Sequence, residues 1–156
     1  MRPKMINAMP DVPGLSEEEV EEFLHGGNRP AHVATVGDKS SPSIYPVWYY
    51  YEDGRLYFFT GKDTKKAREI ERTRKVYFCI DSEEPPYRGV KGMSRASAVD
   101  DPAKSRSIGE KIVVKYMGSL KARGANSIIE GIKSGSEFVL ELVPTYYTTW
   151  DYGKLS

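Results

Sequence analysis

The sequence predicts a mainly β (α+β) fold: a six-stranded antiparallel barrel, closed or nearly closed, with peripheral helices. Six segments carry the alternating or unbroken apolar pattern of strands. Most of them follow one another through turn signals, of which Asp53-Gly54 is the clearest, and consecutive turn-linked strands favour antiparallel pairing. Short segments with helical spacing interrupt the strands, and this combination is typical of small barrels.

The first regular element is preceded by a stretch without periodicity. Residues 1–14 contain three Pro and are predicted to form an irregular arm. A helix then begins after Ser16, a predicted N-cap whose capping-box partner is Glu19, three residues on. Gly26-Gly27 ends this helix.

The rest of the chain alternates between segments with the period of a strand and segments with the period of a helix. The predicted strands span residues 31–36, 43–51, 55–60, 75–81, 88–99 and 137–143. Further helices are predicted at 64–73, from Asp101-Pro102 onward, and at about 126–133. Asp is a good helix cap and Pro a good first helical residue, so the start at Asp101 is well marked. The residues after 143 are predicted to be a short aromatic tail.

Composition limits the function classes. The chain has 156 residues and a net charge of +1, which fits one domain at 15–156 behind the arm and argues against a nucleic-acid binder. No apolar run approaches the length of about 18 residues that a membrane span needs. One Cys and two His make a protein zinc site of the usual kind untenable, so no metal is predicted. The single Cys and the lack of a continuous apolar signal segment predict a cytoplasmic location.

The start of the helix at 64–73 carries the most informative charges. Lys65 and Lys66 fall in its first turn, where the helix dipole is already positive and a cation is unfavourable by roughly 0.3–1 kcal/mol. A phosphate held by these ammonium groups, the helix N–H groups and the Thr60 hydroxyl would explain the arrangement. The alternative is a solvated basic helix, with Glu69, Glu71 and Arg72 in surface ion pairs.

An aromatic strand, SIYPVWYYY, supplies a second candidate surface. Pro46 cannot donate to a strand ladder, so it marks an edge, a bulge or a split in the sheet. Backbone groups left free there can meet a ligand, and the aromatic rings offer flat apolar surface. The alternative is an edge strand in an oligomer interface.

Other candidate residues are weaker. Trp150 lies near the C-terminus among tyrosines, and late aromatic residues usually dock the tail onto the core. Cys79 lies mid-strand between Phe78 and Ile80, which is typical of a buried small apolar residue and not of a nucleophile. Neither His25 nor His32 has partners with triad spacing, so the catalytic residues stay unknown.

Taken in order, these segments resemble the pyridoxamine 5'-phosphate oxidase-like family of FMN-binding split barrels. The Pro-Val-Trp strand, the Asp-Gly hairpin, the Phe-Thr strand end and the Lys-Lys-Ala-Arg helix start occur in the family's order. The resemblance covers residues 15–101 and, more loosely, the last strand and Trp150. It implies a six-stranded antiparallel split barrel and a homodimer with the cofactor at the subunit interface.

The resemblance also implies roles for individual residues. In family members the strand matching 43–48 runs along the flavin, the Phe-Thr and Lys-Lys pairs bind its chain and phosphate, and the late Trp approaches the ring, usually from the partner subunit. The implied cofactor-binding residues of this chain are Ser43, Ile44, Tyr45, Pro46, Val47, Trp48, Phe59, Thr60, Lys65, Lys66 and Trp150.

The expected function is that of an FMN-binding oxidoreductase for a small-molecule redox substrate, with neither nucleic acid nor membrane as partner. Two departures argue against a vitamin B6 oxidase: Lys154 is the one cation after Trp150, and Gly89 stands near the position of a flavin-contacting Gln. Deazaflavin-dependent reductases share the pattern, and Arg68, Arg72 and Arg74 offer charges for the longer tail of that coenzyme. A flavin carrier or sensor without turnover is the non-enzymatic alternative.

Overall fold

The computed structural model describes residues 2–156, of which eight strands and four α-helices are the regular elements. The strands are β1 (Lys4–Asn7), β2 (Ala31–Val36), β3 (Pro42–Val47), β4 (Tyr50–Glu52), β5 (Arg55–Gly61), β6 (Lys75–Asp81), β7 (Arg88–Ala98) and β8 (Glu137–Asp151). The helices are α1 (Glu17–His25), α2 (Lys65–Thr73), α3 (Pro102–Met117) and α4 (Ala125–Ser134), followed by a short 3-10 turn at Tyr152–Lys154.

The strands form one curled sheet, and the predicted fold class is confirmed, but the sheet has eight strands and not the predicted six. The strand order is β3-β2-β6-β7-β8-β5-β4, with antiparallel pairing throughout this path. Its two end strands, β3 and β4, follow each other in the chain and are joined by Trp48 and Tyr49. The predicted single strand 43–51 is therefore wrong: the chain leaves β2 after Val47 and pairs with β5 from Tyr50 onward.

The N-terminal arm is a strand and not irregular, which corrects the sequence prediction for residues 4–7. β1 pairs in parallel with β8, from Lys4 opposite Tyr146 to Asn7 opposite Thr149. The arm continues along β8, where the Ala8 N–H donates to the Thr149 carbonyl at 2.9 Å. A strand of only four residues, paired with a strand from the other end of the chain, is too short to show a periodic pattern in the sequence.

β8 is also longer than predicted, since it runs to Asp151 and takes in the aromatic tail. Its second half is paired with β7 on one side and with β1 on the other. The register with β7 shifts between Met93 and Ser94, beside Pro144, whose ring nitrogen has no hydrogen to donate. The polar and aromatic residues beyond this shift therefore still belong to the sheet.

The local helix and turn signals are confirmed. Ser16 and Glu19 form the capping box, Asp101 caps α3 with Pro102 at its start, and α4 covers the predicted 126–133. Asp53 and Gly54 both have positive φ, as the tight turn between β4 and β5 requires.

The core has two main parts, separated by the sheet. The inner part fills the curl of the sheet under α1 and includes Val33, Phe58, Ile80 and Leu142. The outer part lies between β5, β8 and the helices α3 and α4. Gly109 lets these helices approach closely, because a Cβ at that position would lie 2.4 Å from the Ile132 Cδ1 atom. Among residues 2–156, no helix is long and apolar enough to cross a membrane.

Candidate functional site

The start of α2 is capped by a threonine and carries two lysines. The Thr64 hydroxyl accepts from the Ala67 N–H at 3.1 Å and donates to the Gly61 carbonyl at 2.8 Å. The buried Thr60 hydroxyl lies 3.4 Å from that of Thr64. The first turn holds Lys65 and Lys66 and no acidic residue. Its free N–H groups, the helix dipole and the two ammonium groups therefore all favour an anion here.

Lys66 extends across the space between two strands that are not neighbours in the sheet. Its Nζ lies 4.8 Å from the ring centre of Tyr45 in β3 and 5.9 Å from that of Phe58 in β5. Burial lowers the pKa of Lys66 below its ordinary value, and the negative charge of Glu137 partly offsets this effect. A half-buried cation on two aromatic faces is held in one place with incomplete hydration, as a binding group for an anion requires.

Lys65 is held by a different set of contacts. Its Nζ lies 3.4 Å from the Ser43 hydroxyl oxygen and 3.6 Å from Oε1 of Glu69, one turn along the helix. The Glu69 side chain is buried, and its Oε2 accepts from the Thr35 hydroxyl of β2 at 2.5 Å. Glu69 Oε1 has no hydrogen-bond partner within the described part of the chain. The Lys65 ammonium therefore lies between a buried carboxylate and the entrance of the site.

Alternation along β3 divides the predicted residues between two faces. Ser43 and Tyr45 lie on the side of α2, and Val47 on that same side is buried in the inner core. Ile44 and Pro46 point to the outer face, where Ile44 is 69% exposed. The edge position that Pro46 predicted is confirmed, because β3 ends the sheet path.

A shallow cleft of about 370 Å³ lies on that outer face. It crosses β3, β2, β6, β7 and β8, and its lining includes Ile44, Tyr77, Cys79 and Tyr146. Burial, followed by the charge of Asp81, raises the pKa of the Cys79 thiol. The thiol form is therefore favoured. Cys79 is partly and not fully buried, which differs from the buried position that its sequence neighbours predict.

Three predicted site residues lie away from the lysines. Phe59 faces the outer core under α3, while its neighbours Phe58 and Thr60 face the inside of the sheet. The Trp48 ring stacks on Tyr116 of α3, with centroids 5.1 Å apart and planes at 3°.

The third is Trp150, which lies on β8 opposite Gly89 of β7. Along β8, Trp150 is 12 residues (150 − 138) beyond Phe138, the partner of Thr60, which is about 40 Å of strand at about 3.3 Å per residue. A single chain therefore groups five of the predicted residues at one site, namely Ser43, Tyr45, Thr60, Lys65 and Lys66. Besides these three, Ile44 and Pro46 lie on the outer face and Val47 lies in the inner core.

Sequence reasoning missed part of this site. The alternative of a solvated helix places Glu69 in a surface ion pair, whereas Glu69 is buried against Thr35. The family resemblance indicates Phe59, whereas the ring below Lys66 is that of Phe58. Alternation in β2 was an available signal, because Thr35 shares the inward face with Ala31 and Val33 and needs a polar partner there.

Comparison with known proteins gives a family and a fold. The sequence model of a family described as pyridoxamine 5'-phosphate oxidase matches residues 16–151. No curated protein matches the sequence.

Solved structures share the fold at low identity. A conserved hypothetical protein from Mycobacterium tuberculosis has a TM-score of 0.78 and 22% identity, covering 92% of this chain and 89% of its own. A protein named F420 reductase has a TM-score of 0.66 and 21% identity, covering 82% of this chain and 94% of its own. An FAD-binding protein from Mesorhizobium loti has a TM-score of 0.65 and 20% identity, with coverages of 88% and 96%.

Proposed function

The chain belongs to the pyridoxamine 5'-phosphate oxidase family, and from that premise we propose that it is a homodimeric, FMN-binding oxidoreductase of a small-molecule redox substrate. The observation that carries the proposal is the acid-free first turn of α2 with Lys65 and Lys66. FMN presents a phosphate dianion, which suits two ammonium groups and a helix N-terminus.

The residues at this site fit the phosphate end of FMN. Lys66, half-buried on Tyr45 and Phe58, would supply a fixed positive charge. Lys65 and the Ser43 hydroxyl would add donors at the entrance. FMN, when bound, supplies the hydride or electron chemistry, so the protein's own contribution is anchoring, orientation and exclusion of water.

The proposal of a homodimer rests on the distribution of the predicted residues. Trp150 and the α2 site are separated by most of the length of β8 in one chain, because Thr60 pairs with Phe138 at the opposite end of that strand. The outer face between them bears the exposed Ile44 and Tyr77. A second copy placed on this face would cover that apolar surface and bring its own Trp150 toward the first copy's β3.

The contacts of three cationic side chains bear on the choice of substrate and cofactor. Lys154 donates to the Gly14 carbonyl at 2.8 Å and pairs with Glu19 at 2.7 Å, so it is engaged and not free to hold a substrate phosphate. Arg68 and Arg72 donate to the carbonyls of Asp63 and Val36, at 2.9 and 2.6 Å. Two of the three arginines that could meet the acidic tail of a deazaflavin are thus engaged, and this favours FMN.

The visible absorption spectrum of the purified protein, followed by the mass of the released ligand, tests the proposal. A two-band yellow spectrum with FMN released is the expected result. A single violet-region band would assign a deazaflavin instead, and a colourless protein that takes up neither cofactor would overturn the proposal. Turnover with a nicotinamide donor and an acceptor other than oxygen separates an oxidoreductase from a carrier.

The site assignment has its own test. The double variant K65A/K66A should lose FMN, because two charge-assisted contacts are removed. The matched control K121A/K133A removes the same charge from the α3–α4 loop and from α4, and should keep the cofactor. Stoichiometric FMN in K65A/K66A would refute the assignment.

A further inference from the structure

The α2 site contains one buried negative charge beside its two lysines. Only 7% of the Glu69 side chain is exposed, whereas 62% of the Lys65 side chain is. Glu69 Oε2 accepts from the Thr35 hydroxyl at 2.5 Å, and Oε1 has no hydrogen-bond partner among residues 2–156. Burying a carboxylate with an incomplete set of partners costs stability, which points to a role of Glu69 at the site.

The Glu69 carboxylate is fixed next to one of the lysines. The Thr35 hydroxyl holds one of its oxygens. The other oxygen lies against the turn between β2 and β3, where a Cβ on Gly37 would come within 3.0 Å of it. This oxygen, Oε1, is 3.6 Å from Nζ of Lys65, which lies one helical turn back. The negative charge therefore stays beside the ammonium group that faces the entrance of the site.

Glu69 offsets one of the two positive charges that the lysines bring to this site. Among residues 2–156, no other carboxylate oxygen lies within 4.0 Å of Lys65 Nζ, and none lies within that distance of Lys66 Nζ. Glu137 acts on Lys66 only from farther away. Two lysines and one close carboxylate therefore offer an anion a net charge of +1.

A carboxylate at this position affects an incoming anion in two opposite ways. It orders Lys65, but ordering one exposed lysine is worth less than about fivefold in affinity. It also repels the anion, since a phosphate oxygen at about 3.0 Å from Lys65 Nζ is at most about 6.6 Å from Glu69 Oε1. That distance is shorter than the screening length of about 8 Å at physiological ionic strength. Each unit of ligand charge then changes the affinity by about tenfold, so repulsion outweighs ordering.

We propose that Glu69 is a specificity-determining residue of the α2 site, whose fixed charge opposes phosphoryl ligands in proportion to their own charge. Compared with two lysines alone, the site thereby discriminates against pyrophosphate and polyphosphate groups and favours the single phosphate of a ligand such as FMN. Without Glu69, each added charge on the ligand would bring a larger gain in affinity. This inference rests on the proposed function for the identity of the ligand, whereas the charge effect is measurable with inorganic anions.

Calorimetric titration of the wild type and E69Q with riboflavin, FMN, orthophosphate and pyrophosphate tests the proposal. The Gln side chain has nearly the same shape and keeps an oxygen for the bond from Thr35. We expect FMN to bind E69Q about tenfold more tightly, pyrophosphate to gain more than orthophosphate, and uncharged riboflavin to change less than twofold. The matched control is E71Q, because Glu71 carries the same charge on the same helix but is exposed. E71Q should bind all four ligands as the wild type does.

A second background separates repulsion from positioning. K65M lacks the ammonium group, so a Glu69 that acted only by ordering Lys65 would have no further effect there. Repulsion persists in K65M, and K65M/E69Q should therefore bind orthophosphate several times more tightly than K65M does. A weaker affinity of E69Q for FMN, an equal gain in E71Q, or equal affinities of K65M and K65M/E69Q would each overturn the proposal.

The inorganic anions distinguish a failure here from a failure of the FMN assignment. If the wild type binds no flavin but E69Q binds orthophosphate more tightly than the wild type does, the FMN assignment is wrong and the role of Glu69 stands. If FMN binds, but E69Q and the wild type have the same affinities for all four ligands, the role of Glu69 is refuted and the FMN assignment is kept.

Discussion

The absence of a side chain at Gly89 leaves room for the Trp150 indole, and replacing Gly89 by alanine tests that packing directly. The two residues face each other across β7 and β8. A Cβ at Gly89 would lie 2.4 Å from Trp150 Cζ2 and 2.9 Å from Asp81 Cβ. Ordinary carbon contacts are about 3.5–4.0 Å, so the indole must move by roughly 1.1–1.6 Å.

Two energies of opposite sign compete in G89A. Overpacking of this kind costs about 1–3 kcal/mol. Loss of glycine's freedom in the unfolded chain returns about 0.4–1 kcal/mol, since the φ of Gly89 is not in the left-handed region. Steric strain therefore wins, and the net loss of about 1–2 kcal/mol should lower the melting temperature by roughly 2–8 °C at this chain length.

Tryptophan fluorescence reports the movement directly. The chain has two Trp, so the W48F background leaves Trp150 as the only emitter. In that background G89A should shift the emission to the red and increase quenching by acrylamide. A double-mutant cycle with W150A isolates the contact, because G89A should cost much less once the indole is gone. Unchanged melting and emission in G89A would refute the packing argument.

Three further variants test separate contacts. Lys66→Met should weaken FMN binding by about tenfold or more yet melt no lower than the wild type, because burial already disfavours the charged form; parallel losses of both would contradict this. The contact with Lys154, followed by a bond from the Ser16 backbone, lowers the pKa of Glu19 from 4.5 to about 2, so its stabilisation is present above pH 4.5 and lost toward pH 2. The melting temperatures of wild type and E19Q should therefore converge across that window, and a constant difference would refute the assignment. Thr64→Ala removes the cap of α2 and should cost about 1 kcal/mol, measured by chemical denaturation; no change would show that the cap bond is dispensable.

The sequence predicted best those interactions whose partners lie within a few residues of each other in the chain. The capping box at Ser16 and Glu19, the turn at Asp53-Gly54 and the start of α3 at Asp101 each depend on local bonds that residue type largely determines. The break after Val47 was not predictable in this way, because it depends on which strand each half of the aromatic segment meets.

The same division applies to the candidate site. Lys65 and Lys66 were visible because helix position alone makes two cations in a first turn unusual. Glu69 was not, because its burial depends on Thr35, which lies 34 residues away on β2.

β8 has a consequence for the order of events during synthesis. It is the shared partner of β1, β5 and β7, so three strands cannot complete their pairing until it has been made. Lys4 precedes its partner Tyr146 by 142 positions, an interval of roughly 7–28 s at about 5–20 residues per second. From the end of β7 at Ala98 to the start of β8 at Glu137 is 39 residues (137 − 98), so for about 2–8 s of that interval the nascent chain carries β5 and β7 with open edges, the condition in which strands join the wrong neighbour.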